Sequence, residues 1–301
     1  MNAWDEPDEP NPVAQIIAIR AAQVGGATSV ILGMMALFLP PNVIGAAALV
    51  GGIVGTVGLS PYFLRTFHPR TRYGALPLWV RLSPPEDKAE NHIALTFDDG
   101  PHPDTTPRLL DALATANARA TFFVVAERAA RYPALMRRIV AEGHAVGVHG
   151  LRHRTMVTQS AARIKAELHE AVSIIEKATG VPLPRPVLLR PPYGFRTATV
   201  SQVAHEEGFR CVAWSLDGRD YDAVSADDLA ERIMARLQPG DIVLLHERPH
   251  APTAAEALPR LLAAIREKEY APVALRVGRV GDPAHQKLGE TAERSENHEN
   301  A

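Results

Sequence analysis

The chain carries one cysteine, Cys211, in 301 residues. No disulfide can form within it, and no cysteine cluster can hold a metal. The lone thiol is expected to be a small buried residue on a strand. Basic runs are missing as well. Lys and Arg number 32 against 34 Asp and Glu, the formal net charge is −2, and no stretch gathers the cations together. A nucleic-acid partner is therefore not expected, since phosphate binding needs clustered Lys and Arg. There is no convincing internal repeat. The most uneven shortage is of charge itself. The 44 residues between Arg20 and Arg65 contain no Asp, Glu, Lys or Arg, although 22% of the chain is charged. That average would put about ten charges there.

The uncharged region follows a polar leader (residues 1–20) that opens acidic and Pro-rich, Asp5-Glu6-Pro7-Asp8-Glu9. A secretory signal would begin with basic residues. Ala21–Leu39 and Val43–Leu64 are each near the roughly 20 residues that span a hydrocarbon core, with Pro40-Pro41-Asn42 between them. Residues 21–64 therefore predict a hydrophobic helical hairpin of two transmembrane helices. Gly45, Gly51, Gly52, Gly55 and Gly58 would let the two approach closely. A single span, an in-plane hairpin and a buried soluble hairpin are the competing readings. Arg65, Arg70, Arg72 and Arg81 follow the second segment, Arg20 precedes the first, and the turn carries no cation. The positive-inside rule then puts both ends, and the large C-terminal region, on the cytoplasmic side of a membrane such as a bacterial inner membrane. One span would put that region outside instead.

Residues 65–90 read as a linker. From Asn91 to Val280 short apolar runs alternate with amphipathic stretches. Strands are expected at Ile93–Phe97, Ala120–Val125, Ala145–Val148, Val187–Leu189, Arg210–Ser215, Asp241–His246 and Pro272–Val277. Helices are expected at Pro107–Thr115, Pro133–Glu142, Ala161–Thr179, Ala198–Glu207, Ala226–Leu237 and Ala254–Lys268, the first capped by Thr106 with Pro107 just inside. This alternation predicts an α/β fold on a mainly parallel sheet, open or closed into a barrel. Such sheets carry their functional residues at the C-terminal strand ends. Residues 281–301 form a polar tail, expected to be disordered.

Five polar clusters follow the strands. Thr96-Phe97-Asp98-Asp99-Gly100-Pro101 ends the first. Two adjacent carboxylates there are costly unless a cation stands beside them, although Asp-Gly-Pro is also ordinary turn chemistry. His149-Gly150-Leu151-Arg152-His153 holds two histidines four apart, a spacing that can bring two imidazoles to one metal. Two histidines and one carboxylate make a catalytic metal set with positions left open for water and substrate. Arg190-Pro191-Pro192-Tyr193 is a stiff loop, Asp217-Gly218-Arg219-Asp220-Tyr221 reads by itself as a solvated turn, and Leu244-Leu245-His246 closes an apolar strand. Each alone has a purely structural reading. Five at successive strand ends are harder to set aside.

In this order the clusters resemble the motifs of the polysaccharide deacetylases, carbohydrate esterase family 4 with its NodB-type homology domain: TFDDGP, H-[ST]-x-x-H, RxPY, DxxDW and LxH. Ala120-Thr121-Phe122-Phe123-Val124 is similar to the family's second strand. The resemblance covers about Asn91 to Val280 and implies a distorted, incomplete (β/α) barrel. It implies that Asp99, His149 and His153 bind a divalent metal, Zn2+ by default. Asp98 would be the general base, held ionised by Arg190 or, as a rival, by Arg119. The backbone N–H of Tyr193 would stabilise the oxyanion. His246 would be the general acid, kept protonated by Asp220, and Tyr221 and Leu244 would line the acyl pocket. The implied reaction is removal of N-acetyl groups from a sugar, oligosaccharide or polysaccharide, with an N-acetylated glycan as partner; membrane lipid is the partner expected of the hairpin at 21–64.

Two residues depart from the family pattern. Gly150 stands where Ser or Thr is usual, which removes a hydroxyl that braces the loop. Tyr221 stands where Trp is usual, which leaves formyl as well as acetyl open for the acyl group. The alternatives are an amide hydrolase or deformylase on another substrate, and an inactive membrane-anchored carbohydrate-binding protein. Mere binding would need neither Asp98 nor His246.

Overall fold

The computed structural model describes residues 78–82, 91–247 and 254–276. The predicted leader, the hydrophobic hairpin at 21–64, most of the linker and the tail lie outside the described residues. Among the described residues, no helix is long and apolar enough to cross a membrane.

The strands are β1 (Leu78–Trp79), β2 (Asn91–Asp98), β3 (Thr121–Val124), β4 (Ala145–Val148), β5 (Val187–Leu189), β6 (Phe209–Val212), β7 (Leu216–Asp217), β8 (Ile242–His246) and β9 (Tyr270–Pro272). The helices are α1 (Thr105–Thr115), α2 (Ala126–Arg131), α3 (Pro133–Ala141), α4 (Ala161–Thr179), α5 (Ala198–Glu206), α6 (Ala226–Met234) and α7 (Ala254–Glu267). Strand order is β1-β6-β5-β4-β3-β2-β8-β7, with β9 also paired to β2, and every strand pairing is parallel.

The sheet is curled. Just past β1, the Leu82 N–H donates to the Gly240 carbonyl at 2.8 Å, and Arg81 forms an antiparallel bridge with Asp241, just before β8. The beginning of the strand order is thereby brought to its far end. The central strands β3, β5 and β8 are buried on both faces nearly throughout, as parallel strands covered by crossover helices must be, whereas β9 is half-buried. Trp79, Ala94, Phe123, Leu188, Val212 and Ile242 fill the inside of the curl. Leu95, Phe97, Phe122, Val148, Leu189 and Leu245 point outward under the helices. The result is the incomplete (β/α) barrel that the resemblance implies.

Local chemistry fixes the helix ends. Ser160, Thr197 and Ser225 accept the N–H of the residue three along at the starts of α4, α5 and α6, and Gly180 ends α4 in the left-handed conformation. The expected cap of α1 is corrected. The N-cap is Asp104, and Thr106 lies inside the first turn, where its hydroxyl accepts the His102 N–H at 2.8 Å. The last strand is Tyr270–Pro272, earlier than the expected Pro272–Val277, because its partner is the start of β2 at Asn91–Ile93. Cys211 is buried on β6, as expected.

Candidate active site

The parallel arrangement gathers the five clusters at one end of the curl. β2 and β8 are neighbours in a register that pairs Asp98 with His246. Side chains alternate along a strand, so Thr96 and Asp98 face inward together, as do Leu244 and His246. Asp98, Asp99 and His149 are buried, and the side chain of His153 is 18% exposed.

Asp99 Oδ1 lies 3.3 Å from His149 Nε2 and 2.9 Å from His153 Nε2, and one ligand atom from each of the three residues falls within 4.8 Å of the others. Two ligands each about 2.1 Å from a common ion stand about 3.0–3.4 Å apart, so the set fits one divalent cation. His149 Nδ1 lies 2.7 Å from the Arg190 carbonyl oxygen. A proton on Nδ1 makes that bond and leaves Nε2 as the ligand atom. Burial alone would raise the Asp99 carboxyl. His153 and His149 outweigh it and hold the group well below the usual carboxylate range.

Arg190 comes off the end of β5 and crosses the inside of the curl. Its guanidinium donates to Asp98 Oδ1 at 2.7 Å, Thr96 Oγ1 at 2.8 Å and the Ala213 carbonyl at 2.9 Å, over the face of Phe123. Arg119 is not in this position. It donates to the Ala118 carbonyl, and its charge bears on His144 instead. Of the two rivals for Asp98, the structure therefore selects Arg190.

On the other side, Asp220 sits in a short 3-10 turn, Asp220–Asp222, and grips His246 twice. Oδ1 meets His246 Nδ1 and Oδ2 accepts the His246 N–H, both at 2.7 Å. Burial would lower the imidazole. Asp220, helped by Asp99 and Asp98, raises it to about 9.

Tyr193 has left-handed backbone (φ 61), within the 3-10 turn Pro192–Gly194, and its ring packs on His153 with centroids 4.6 Å apart. Tyr221 is at the rim, 49% exposed, edge-on to His246 at 6.0 Å. Leu244 is buried on β8. Gly150 has φ +85, and a Cβ there would stand 3.1 Å from Pro192 Cγ. The departure from Ser or Thr matches a left-handed backbone that favours glycine.

Three further residues border the site. Thr96, which opens the Thr96–Pro101 cluster, holds Arg190 from the strand below Asp98. The other two carried no sequence signal that set them apart. Glu247, fully buried, accepts the Thr106 hydroxyl and occupies the space where a Gly100 side chain would go, with Oε1 1.8 Å from the Cβ position. Burial pushes its carboxyl up to about 8. Arg128, on α2, donates to the Asp99 carbonyl.

With this geometry the comparisons agree. Residues 86–212 match the family model described as polysaccharide deacetylase. A chitooligosaccharide deacetylase of Bradyrhizobium sp. is 38% identical over 57% of this chain and 78% of its own length. A peptidoglycan-N-acetylglucosamine deacetylase of Bacillus cereus is 34% identical over 62% of this chain, a match spanning 66% of that relative. Among solved structures, the family 4 carbohydrate esterase from Streptomyces lividans in complex with acetate superposes with TM-score 0.56 at 32% identity, covering 64% of this chain and 97% of that one. A parallel curled sheet, an Asp-His-His cluster at its strand ends and relatives of this kind together place the chain in the polysaccharide deacetylase family, the family 4 carbohydrate esterases.

Proposed function

We propose that this chain is a metal-dependent N-deacetylase of an N-acetylated glycan. One observation carries the reading. The Asp99-His149-His153 cluster is flanked by two candidate proton carriers, Asp98 paired with Arg190 and His246 paired with Asp220. A divalent cation in the cluster, zinc by ligand type, would act as a Lewis acid on the acyl oxygen and the attacking water. Asp98, paired with Arg190, takes the proton from that water. The Tyr193 N–H is the donor we assign to the oxyanion. His246, charged through Asp220, hands its proton to the departing amine, which would otherwise leave as an unstable anion. Leu244 and Tyr221 face the acyl group and the sugar. Acetate in the S. lividans relative, and the chitooligosaccharide and peptidoglycan named for the others, support an acetylated amino sugar as substrate. Acetate release from chitooligosaccharides and from peptidoglycan fragments tests the reading. The wild-type chain should release acetate from at least one, and His246→Ala from neither. Activity on an unrelated amide alone would overturn it.

The uncharged stretch 21–64 supports a further reading, in which the enzyme works at a membrane on a lipid-linked or polymerising glycan. The Arg bias after residue 64 supports a cytoplasmic catalytic domain. Reporter fusions at the C-terminus distinguish the sides. A fusion active only outside the cytoplasm would contradict this orientation.

A further inference from the structure

The turn from the end of β3 into α2 touches both loops that carry the candidate ligands. The Val125 N–H donates to the Gly100 carbonyl at 2.9 Å, one residue past Asp99. The Ala126 and Glu127 N–H groups donate to the Gly150 and Leu151 carbonyls, both at 3.1 Å, between His149 and His153. These are first-turn donors of α2, whose N-cap Val125 makes no side-chain cap bond. Groups usually answered by a capping hydroxyl or carboxylate are here answered by the metal-site loops. Side chains repeat the pattern. The Glu127 carboxylate pairs with Arg152, inside the histidine loop, and the Arg128 guanidinium donates to the carbonyl of Asp99 itself.

Asp99 is a non-glycine residue with φ 75. Such a residue stays left-handed only where its surroundings determine it. Beneath the turn, the Glu247 carboxyl group fills the space beside Gly100. From α2, Arg128 holds the peptide oxygen of Asp99. A shift at that peptide would swing the Asp99 carboxylate, whose Oδ1 must stay near both imidazoles.

We propose that Arg128 is a positioning residue for the metal site, locking Asp99 in the left-handed turn that aims its carboxylate at His149 and His153. The proposal rests on the reading of those three residues as metal ligands. Outer contacts of this sort govern affinity because they decide how much a ligand must reorganise when the ion binds. Arg128 touches the backbone of one ligand, so its effect should be on metal affinity and coordination geometry.

The test compares the 301-residue chain with its Arg128→Met and Arg128→Lys variants. Zinc affinity is measured by competition with a chromophoric chelator, coordination by the visible absorption of the cobalt(II)-loaded protein, and folding by circular dichroism and melting without metal. Arg128→Met should fold as the wild type does, bind zinc about 10–100-fold more weakly and give an altered cobalt spectrum. Arg128→Lys, which keeps a donor, should recover part of the affinity. Wild-type affinity and an unchanged spectrum in Arg128→Met would overturn the proposal. So would a lower metal-free melting temperature with zinc binding of the folded protein unchanged, since Arg128 would then only pack. Failure of the wild-type chain to bind zinc or cobalt would instead sink the ligand assignment, and this proposal with it.

Discussion

Arg190 and Asp98 meet at 2.7 Å across the inside of the curled sheet, one rooted at the end of β5 and the other at the end of β2. Both side chains are almost fully buried. Removing one member of a buried pair leaves an uncompensated charge, which costs about 3–5 kcal/mol. Arg190→Met is expected to lose stability on that scale, together with most of the activity. Arg190→Lys should not rescue it, because a single ammonium cannot bond Thr96, Asp98 and the Ala213 carbonyl in one plane. Denaturant unfolding of the metal-free proteins checks the first part and kcat the second. An Arg190→Met protein as stable as the wild type would mean that Asp98 does not depend on this pair.

The His246–Asp220 pair is expected to set the alkaline side of the pH profile. With His246 raised to about 9, kcat/KM should hold level through neutrality and fall as pH rises through that value. Asp220→Asn removes the charge that raises it, so the fall should move toward the ordinary 6.5 and the rate at neutral pH should drop about 100-fold. The same pair affects folding with a definite sign. A raised histidine contributes stability that is complete below 6.5 and lost as pH climbs through 9. An alkaline limb that stays in place in Asp220→Asn would remove Asp220 from this role.

His144 acts in the opposite direction. It is buried before β4, accepts the Ala120 N–H on Nδ1 at 3.2 Å, and is pushed down to about 4 by burial and by the charge of Arg119. The unfolded chain binds its proton first, so the fold should lose stability as pH falls from about 6.5 to about 4. Asn can offer an oxygen where Nδ1 stands. His144→Asn should therefore flatten that part of the stability curve, as read from melting temperature against pH. An equal acid slope in both proteins would assign the loss to other groups.

Much of the site was legible in the sequence, and the reason is geometric. Parallel strands deliver their C-terminal ends to one place, which brings the five clusters forward together, and the resemblance to the family motifs then implied the roles of Asp98-Asp99, His149 and His153, Arg190, Asp220 and His246. β4, β5 and α4 have the bounds expected from their apolar runs and flanking turn residues. What escaped was short or non-local. β1 and β7 have two residues each and exist only through their partners β6 and β8. α2 is a single short stretch, Ala126–Arg131, directly after β3, with no Gly or Pro to mark its start. Arg128 and Glu247 look ordinary along the chain. Their importance arises from what the fold brings against them.

Gly150 offers a direct check on the departure from the family's Ser or Thr. Its φ of +85 and the 3.1 Å approach to Pro192 mean that a side chain there is strained. Gly150→Ser should cost about 1–3 kcal/mol and weaken metal binding, although it restores the hydroxyl common in relatives. A gain in metal affinity would show that the loop can readopt the other conformation.

The most direct test of the account is metal removal and return in the intact chain, read as acetate release from an N-acetylated glycan. Chelation should abolish release without unfolding the protein, stoichiometric zinc should restore it, and the Asp99→Ala variant should stay silent at the same zinc concentration. Full activity after exhaustive chelation, or in Asp99→Ala, would contradict a metal held by Asp99, His149 and His153 and the mechanism built on it.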